Sequence, residues 1–579
     1  KKMILASKIS LGWCYLKLKR FELAQKAFEE AEAMAHDENF LSDDIYFGLA
    51  TLYTEMKENA KALEAYNYLM NTFPNSIRIL ESMFGRANIF YLNKDYANAI
   101  NEYQQIVLRY QDDPSRTEAI EKAKFGLAWT YLKLGDIQKS VQTFQDIMQQ
   151  TKSHTVKVGA LTQLGDVYQD SNSLDKAIEI YDRVLKEYSN SIYADYAQFR
   201  QGIALLKQDK VDSAAISFQS LAANFPKSKY LNDAQYYLAV SYFKKGDWAA
   251  AKDYAESYLQ ASLETADFSA EAYYVLANSM FNLNNPQGAL KIFRKLIQDY
   301  PEQPAIVRNS ELASAKCLYA SGQVKEALKK FNTIPIQYPN SETAQAALFW
   351  LGDYYLENSV YENAIDYYQQ IINIFPGSEK INLAFFQLGQ AYEAQLEYDK
   401  ALYSYSMINN PKDKEVYTKA KLAIAEIFSK KFDYNTAFET YQNIITHVPD
   451  YRRDAYVKMA GVYKERQSFT EAVEAYKKAM AADIGLSKYS NAELQFYIGD
   501  THELLNQKPS AVEEYLKIPY LYPQAIPWIV KAYLRIGRLF EEEERWEEAK
   551  TIYQKVIDYK TEEKKFAQER LEWINGNFE

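Results

Sequence analysis

A chain of 579 residues with 48% hydrophobic and 25% charged side chains carries enough apolar surface to offset the ordering entropy of folding along its whole length. Gly (19) and Pro (15) are both scarce, which excludes collagen, flexible low-complexity chain and turn-rich all-β folds. Asp and Glu outnumber Lys and Arg by 77 to 67, so the basic footprint of a nucleic-acid binder is missing, and Cys14 and Cys317, far apart, make neither a disulfide framework nor a Cys-rich metal site.

The chain opens directly on a repeat rather than on the apolar stretch of a signal peptide, and no uninterrupted apolar run reaches eighteen residues; an export signal or anchor is expected only upstream of residue 1. A small residue recurs at positions 12, 50, 87, 128, 165, 202, 239, 277, 315, 352, 389, 425, 460, 499 and 537, at intervals of 35 to 41 residues. Seven of the fifteen are Gly, among them Gly12, Gly165, Gly202 and Gly499, although Gly inside a helix costs about 1 kcal/mol relative to Ala. A packing reason is implied. Twelve residues later stands Ala in fourteen repeats, with Ser140 the exception, and sixteen later an aromatic in fourteen, with Ala255 the exception. Each unit is read as a helix A bearing the small residue, a short turn, and a helix B whose ring fills the space beside it.

Taken in chain order, residues 1–113 hold repeats one to three, and Asp112-Asp113-Pro114 precedes the longest interval. Residues 114–265 hold repeats four to seven, the last ending in Ser262-Leu263-Glu264-Thr265 without Pro. Residues 266–484 hold repeats eight to thirteen, and 485–579 hold repeats fourteen and fifteen plus a C-terminal capping helix over Phe566 to Ile574. The first two breaks, and the prolines Pro519, Pro523 and Pro527, are expected bends. Helix B commonly ends at a Pro twenty-four residues after the small position, such as Pro74, Pro226, Pro376 and Pro523; a following Ser or Asn is expected to cap the next helix.

Leu351-Gly352-Asp353-Tyr354-Tyr355, then Ala364-Ile365-Asp366-Tyr367-Tyr368, then Pro376, resembles the tetratricopeptide repeat, and the likeness covers essentially the whole chain. It implies an all-α, right-handed α-solenoid of about fifteen helix-turn-helix repeats. The endings Phe73-Pro74-Asn75-Ser76, Phe225-Pro226-Lys227-Ser228, Tyr338-Pro339-Asn340-Ser341 and Phe375-Pro376-Gly377-Ser378 are similar to those of bacterial envelope proteins of the BamD type and of the periplasmic coordinator of the Tol system. That second resemblance implies a periplasmic scaffold of an outer-membrane, secretion or motility assembly, touching the membrane only through an upstream lipid anchor. The alternatives are a cytoplasmic adaptor or regulator, and the accessory domain of a larger enzyme or glycan-export protein.

No phosphate loop, nucleophile elbow or Cys-x-x-Cys pair is present, so no cofactor, metal or catalytic residue is assigned and the chain is read as a non-enzyme. His502-Glu503 hints at a zinc helix but lacks a second ligand at Asn506, and His502 is read as a core residue. Cys14 and Cys317 are read as buried thiols.

In the tetratricopeptide family helix A lines the concave surface, so the positions three before, one after and four after the small residue are the candidate groove. In repeats six to eight these positions supply an apolar strip, Phe199, Ile203, Leu206, Tyr236, Val240, Phe243, Tyr274 and Phe281, suited to a partner's amphipathic helix or extended peptide. The competing reading is that neighbouring repeats bury the strip. In repeats eleven to fifteen Glu426, Asp500, Glu503 and Glu541 make a charged groove suited to a basic partner.

Overall fold

Every hairpin closes on the same backbone conformation. Seven residues after each small position φ is positive, as at Lys19 (56°), Asn172 (58°), Ser359 (60°) and Phe432 (61°). Only Gly135, Gly246 and Gly322 place there the residue that meets no steric objection. The N–H groups of this residue and the next return to helix A carbonyls, Gly135 to Leu132 at 3.0 Å and Asp136 to Tyr131 at 2.9 Å. This double return satisfies the helix end, and helix B starts one residue later.

The computed structural model describes residues 2–37, 42–261, 267–408, 413–483 and 487–578. Among them are 31 α-helices, two short 3-10 turns and no strand. The first hairpin pairs Lys2–Lys17 with Phe21–Asp37, the last pairs Ile526–Glu542 with Trp546–Asp558, and Lys564–Asn577 follows as the expected extra helix. Its Ala567 and Ile574 are buried against the last repeat's core. Two compact units are separable, Lys1–Ser321 and Gly322–Glu579; the division falls in the turn between Pro304–Ala320 and Val324–Gln337. Within each unit helices pack on their chain neighbours, and the core is a succession of small apolar clusters rather than one centre. The expected breaks after 265 and 484, with Ser262-Leu263-Glu264-Thr265, lie outside the described residues. At the first break Asp113 accepts from the Ser115 N–H at 2.9 Å and caps the turn Pro114–Arg116.

The small residue and its ring meet as the spacing demands. A Cβ added at Gly12 would stand 2.7 Å from Phe28, at Gly165 2.6 Å from Tyr181, at Gly202 2.5 Å from Phe218 and at Gly499 2.6 Å from Tyr515. Those rings are fully buried. The same ring also presses on the following repeat: a Cβ at Gly126 would stand 2.5 Å from Tyr103, and Gly48 and Gly85 face Phe28 and Tyr66 just as closely. Where the following repeat lacks that Gly, a second ring can stack instead, as Tyr237 does on Phe218 at 5.4 Å and Trp350 on Phe331 at 3.7 Å. Repeat seven is not empty despite Ala255: Tyr258, fully buried one turn on, supplies the ring, and its hydroxyl accepts from the Phe268 N–H at 3.1 Å.

One reading of the inter-repeat turn needs correction. The Ser after Pro caps the next helix only at Ser341, which accepts from Ala344 N–H at 3.0 Å. Elsewhere it braces the previous helix A, Ser228 donating to Asp195 at 2.8 Å and Ser378 accepting from Gln345 at 2.7 Å. Pro519, one of the prolines of the expected third bend, lies inside the helix Lys508–Leu521.

Candidate interaction groove

The position three before the small residue belongs to the hairpin core. Phe125 lies 5.6 Å from Phe144, Phe199 6.1 Å from Phe218, Phe386 5.6 Å from Tyr405 and Phe496 5.1 Å from Tyr515, ring to ring. Its regular apolar character reflects that packing.

The apolar strip of repeats six to eight is not continuous. Phe199 and Leu206 are only 7% and 8% exposed, which removes both from any accessible surface; Phe199 stacks on Tyr230 of the following turn at 5.1 Å. Ile203 and Val240 are half-buried against the same cluster. Tyr236 stacks on Phe268 at 4.7 Å and Phe243 meets Trp248 edge-on at 5.1 Å. The remaining pair stands differently. Tyr274 and Phe281, half-buried on Ser269–Asn282, open onto a hollow of about 250 Å³ shared with Asn278, Asn282, Leu312 and Lys316.

In the charged groove each acid is already paired within the chain. Glu426 meets Lys458 at 2.6 Å, and Asp500 meets Lys464 at 2.8 Å. Glu503 accepts from Arg535 Nε at 2.9 Å and from its second nitrogen, and Glu541 takes the same fork from Arg570 of the capping helix, with Nε at 3.1 Å. Such forked pairs fix geometry as well as charge. In repeat five Asp166 does the same work, with Arg200 at 3.0 Å. Burial pushes the Asp166 carboxyl up, against the pull of Arg200.

The acids are also the acceptors of the ring hydroxyls. Tyr181 donates to Asp166 at 2.7 Å, Tyr368 to Asp353 at 2.6 Å, Tyr405 to Glu393 at 3.1 Å and Tyr515 to Glu503 at 2.6 Å. Burial raises Tyr515 far above the ordinary phenol range, and the bond to Glu503 raises it further, so the hydroxyl stays a donor. The sequence reading missed the basic member of these sets, two residues before the next small position: Arg200, Lys458 and Arg535. Its signal was a base recurring 32 to 34 residues after the acid.

His502 is half-exposed rather than a core residue, and its Nδ1 lies 2.9 Å from Gln507 Oε1. Cys14 is exposed, whereas Cys317 is fully buried, its thiol pushed up to about 12 by burial. Among the described residues no three His, Cys, Asp or Glu side chains gather as metal ligands, and no helix is long and apolar enough to cross a membrane.

A second hollow, of about 350 Å³, lies in repeats twelve to fourteen. Tyr441, Tyr476, Tyr489 and Tyr497 line it with Glu426, Ser429, Lys430, Lys458, Gly461 and Glu465.

Families described as tetratricopeptide repeat match the chain at residues 6–35, 44–76, 81–113, 122–150, 160–191, 283–349, 346–378, 458–526 and 531–559. A family described as outer membrane lipoprotein matches residues 194–305. Among curated proteins, the TPR repeat-containing protein MJ1428 of Methanocaldococcus jannaschii is 24% identical over 142 residues; the match spans 24% of this chain and 24% of that relative. Among solved structures, the Cut9–Hcn1 hetero-tetramer of the APC/C is 16% identical over 93% of this chain and 98% of that one, with a TM-score of 0.36. Naa15/Naa10 bound to HypK-THB is 14% identical over 91% and 99%, with a TM-score of 0.33. The C-terminal part of a TPR repeat-containing protein from Cytophaga hutchinsonii is 14% identical over 45% and 98%, with a TM-score of 0.36.

Proposed function

The chain belongs to the tetratricopeptide-repeat proteins, whose repeats serve protein–protein interaction, and on that premise we propose that it is a non-enzymatic scaffold of a bacterial outer-membrane, secretion or motility assembly, working in the periplasm. The mechanism is display. Rings wedged between successive helices, and acid–base pairs across repeats, hold each groove in one shape before a partner arrives, which lowers the ordering cost of binding.

The hollow between Tyr274 and Phe281 is the observation that carries the reading. There the expected apolar strip opens onto a hollow that combines two rings with the Asn278 and Asn282 carboxamides. Each Asn donates its NH₂ to the carbonyl one turn back, Asn278 to Tyr274 and Asn282 to Asn278, both at 2.8 Å. An extended segment finds an apolar seat and acceptors for its backbone N–H groups there. The envelope assignment is supported by the outer-membrane-lipoprotein match over 194–305 and by the four Pro-x-Ser endings.

Affinity purification from the native cell with the chain and its Phe281→Glu variant tests the groove. A protein retained by the former and lost from the latter, with unchanged circular dichroism, is expected; identical retention removes the hollow from the binding surface. Protease protection in intact cells, lost when the outer membrane is opened, is expected for the periplasmic placement. Recovery in the cytosolic fraction ends it.

A further inference from the structure

Gly461 stands in the interior of the helix Arg452–Glu465, one residue after the small position of repeat thirteen. The same position holds Trp129, Asp166, Ile203, Asp353, Glu426 or Asp500 in other repeats. Each Gly at a small position has a ring against it, but a Cβ added at Gly461 would meet nothing within 4 Å. Helix propensity argues against Gly there and packing does not ask for it. What its missing side chain does is leave open the hollow of about 350 Å³.

The charges around that hollow are unequal. Lys458 is held by Glu426 at 2.6 Å, and Lys430 by Glu393 at 2.8 Å. Glu465 accepts only the Ser429 hydroxyl, at 2.8 Å, among the contacts of the described residues. Its chain neighbour Arg466 is turned elsewhere, over the rings of Tyr434 and Phe438 at 5.3 and 5.8 Å. One carboxylate therefore remains without a cation beside four tyrosines. Burial raises Tyr441 and Tyr476 far above the ordinary phenol range, so their hydroxyls remain neutral.

We propose that this hollow receives a basic side chain, arginine or lysine, from a segment of a partner protein, with Glu465 as counter-charge and the tyrosine rings as its walls; the inference rests on the scaffold reading. A cation is drawn both to the carboxylate and to aromatic faces, and Gly461 supplies the depth that lets its stem enter. An acidic side chain would face the exposed Glu465 as a like charge. An apolar one would gain nothing from that carboxylate, which keeps only Ser429 and solvent.

The probe is a phage-displayed library of random twelve-residue peptides, selected on the purified full chain and counter-screened on Gly461→Trp. Gly461→Ala serves as the folding control, since it fills open space and is expected to melt no lower than the parent. Clones that prefer the parent over Gly461→Trp are expected to share an Arg or Lys, and the corresponding synthetic peptides to lose about tenfold in affinity on Gly461→Trp and on Glu465→Gln. Enrichment of acidic or purely apolar residues in those clones, or no clone that distinguishes the two proteins, overturns the proposal. Clones lost on Phe281→Glu but indifferent to Gly461→Trp also overturn it, while leaving the scaffold reading intact. Clones that fill the Gly461 hollow while native purification yields no groove-dependent partner place the failure with the scaffold reading instead.

Discussion

Tyr515 donates its hydroxyl to Glu503 Oε1 at 2.6 Å, and Arg535 of the next repeat grips the same carboxylate. The pairing accounts for a Tyr rather than a Phe as the repeat ring in several hairpins. A buried phenol needs an acceptor, and the positions one and four after the small residue are within its reach. At Tyr181, Tyr368, Tyr405 and Tyr515 they hold Asp166 and Gln169, Asp353, Glu393 and Glu503, whereas at Tyr476 they hold Gly461 and Lys464. Where it is Phe28, Phe144 or Phe218 they hold Trp13 and Leu16, Trp129 and Leu132, or Ile203 and Leu206. In these hairpins the character of helix A answers to its own ring, while Asn278 beside Phe293 and Lys316 beside Phe331 do not follow the rule.

Phe218→Tyr is therefore expected to be harmful. Its hydroxyl would be buried beside Ile203 and Leu206 with nothing to accept it, at a cost of about 2 kcal/mol. Adding Leu206→Glu supplies the missing acceptor and is expected to recover part of that loss, a coupling readable in a double-mutant cycle by chemical denaturation. Equal, additive losses in the two single variants would show that the hydroxyl and the carboxylate do not meet.

The ring-and-small-residue relation was legible because both partners sit at a fixed distance within one hairpin, Gly202 with Phe218 or Gly499 with Tyr515. Relations between hairpins were harder to see, since the interval varies from 35 to 41 residues and blurs any fixed spacing. Gly48, Gly85 and Gly126, and the bases Arg200, Lys458 and Arg535, escaped for that reason. Exposure escaped for another. Leu206 and Phe281 occupy equivalent positions, yet one is buried and the other lines a hollow, and only the neighbouring helices decide which. The acids Glu426, Glu503 and Glu541 have basic neighbours within the chain itself, which the single sequence positions did not show.

Gly202→Ala and Gly461→Ala are the same chemical change with opposite expected outcomes. At Gly202 the new methyl would press on Phe218 at 2.5 Å, a fully buried ring that itself stacks on Tyr237, so overpacking of about 1–3 kcal/mol outweighs the helix-propensity gain. At Gly461 nothing opposes the methyl, and the propensity term alone raises stability by about 1 kcal/mol. Thermal melts of the two variants check both signs. A stabilised Gly202→Ala would mean that the hairpin relaxes around its ring without loss.

Phe432 offers a backbone test. It sits at φ 61° in the turn of repeat twelve with 77% of its surface exposed, so its side chain contributes little burial while its Cβ opposes the left-handed conformation. Phe432→Gly is expected to stabilise the turn by about 1 kcal/mol. Hydrogen exchange of the Asp433 amide, which returns to the Phe428 carbonyl at 2.9 Å, reads the effect locally. Faster exchange in the variant would show that the ring holds the turn in place.

Asp166 makes the acid–base pairs testable by pH. Its carboxyl is 3% exposed, and burial raises its pKa despite Arg200 and the donating hydroxyls of Tyr181 and Tyr196. The folded state then binds the proton more tightly than the unfolded chain, whose Asp titrates near pH ~3.9. The resulting stabilisation is fully present below that value and is lost as pH rises through the higher folded pKa. Asp166→Asn lacks this titration but keeps the shape. The stability of the parent relative to Asp166→Asn is therefore expected to fall as pH climbs from the ordinary carboxylate range, then level off, in urea denaturation curves taken at successive pH values. A relative stability that instead rises with pH would mean that the Arg200 guanidinium, 3.0 Å away, outweighs burial and holds the carboxylate ionised.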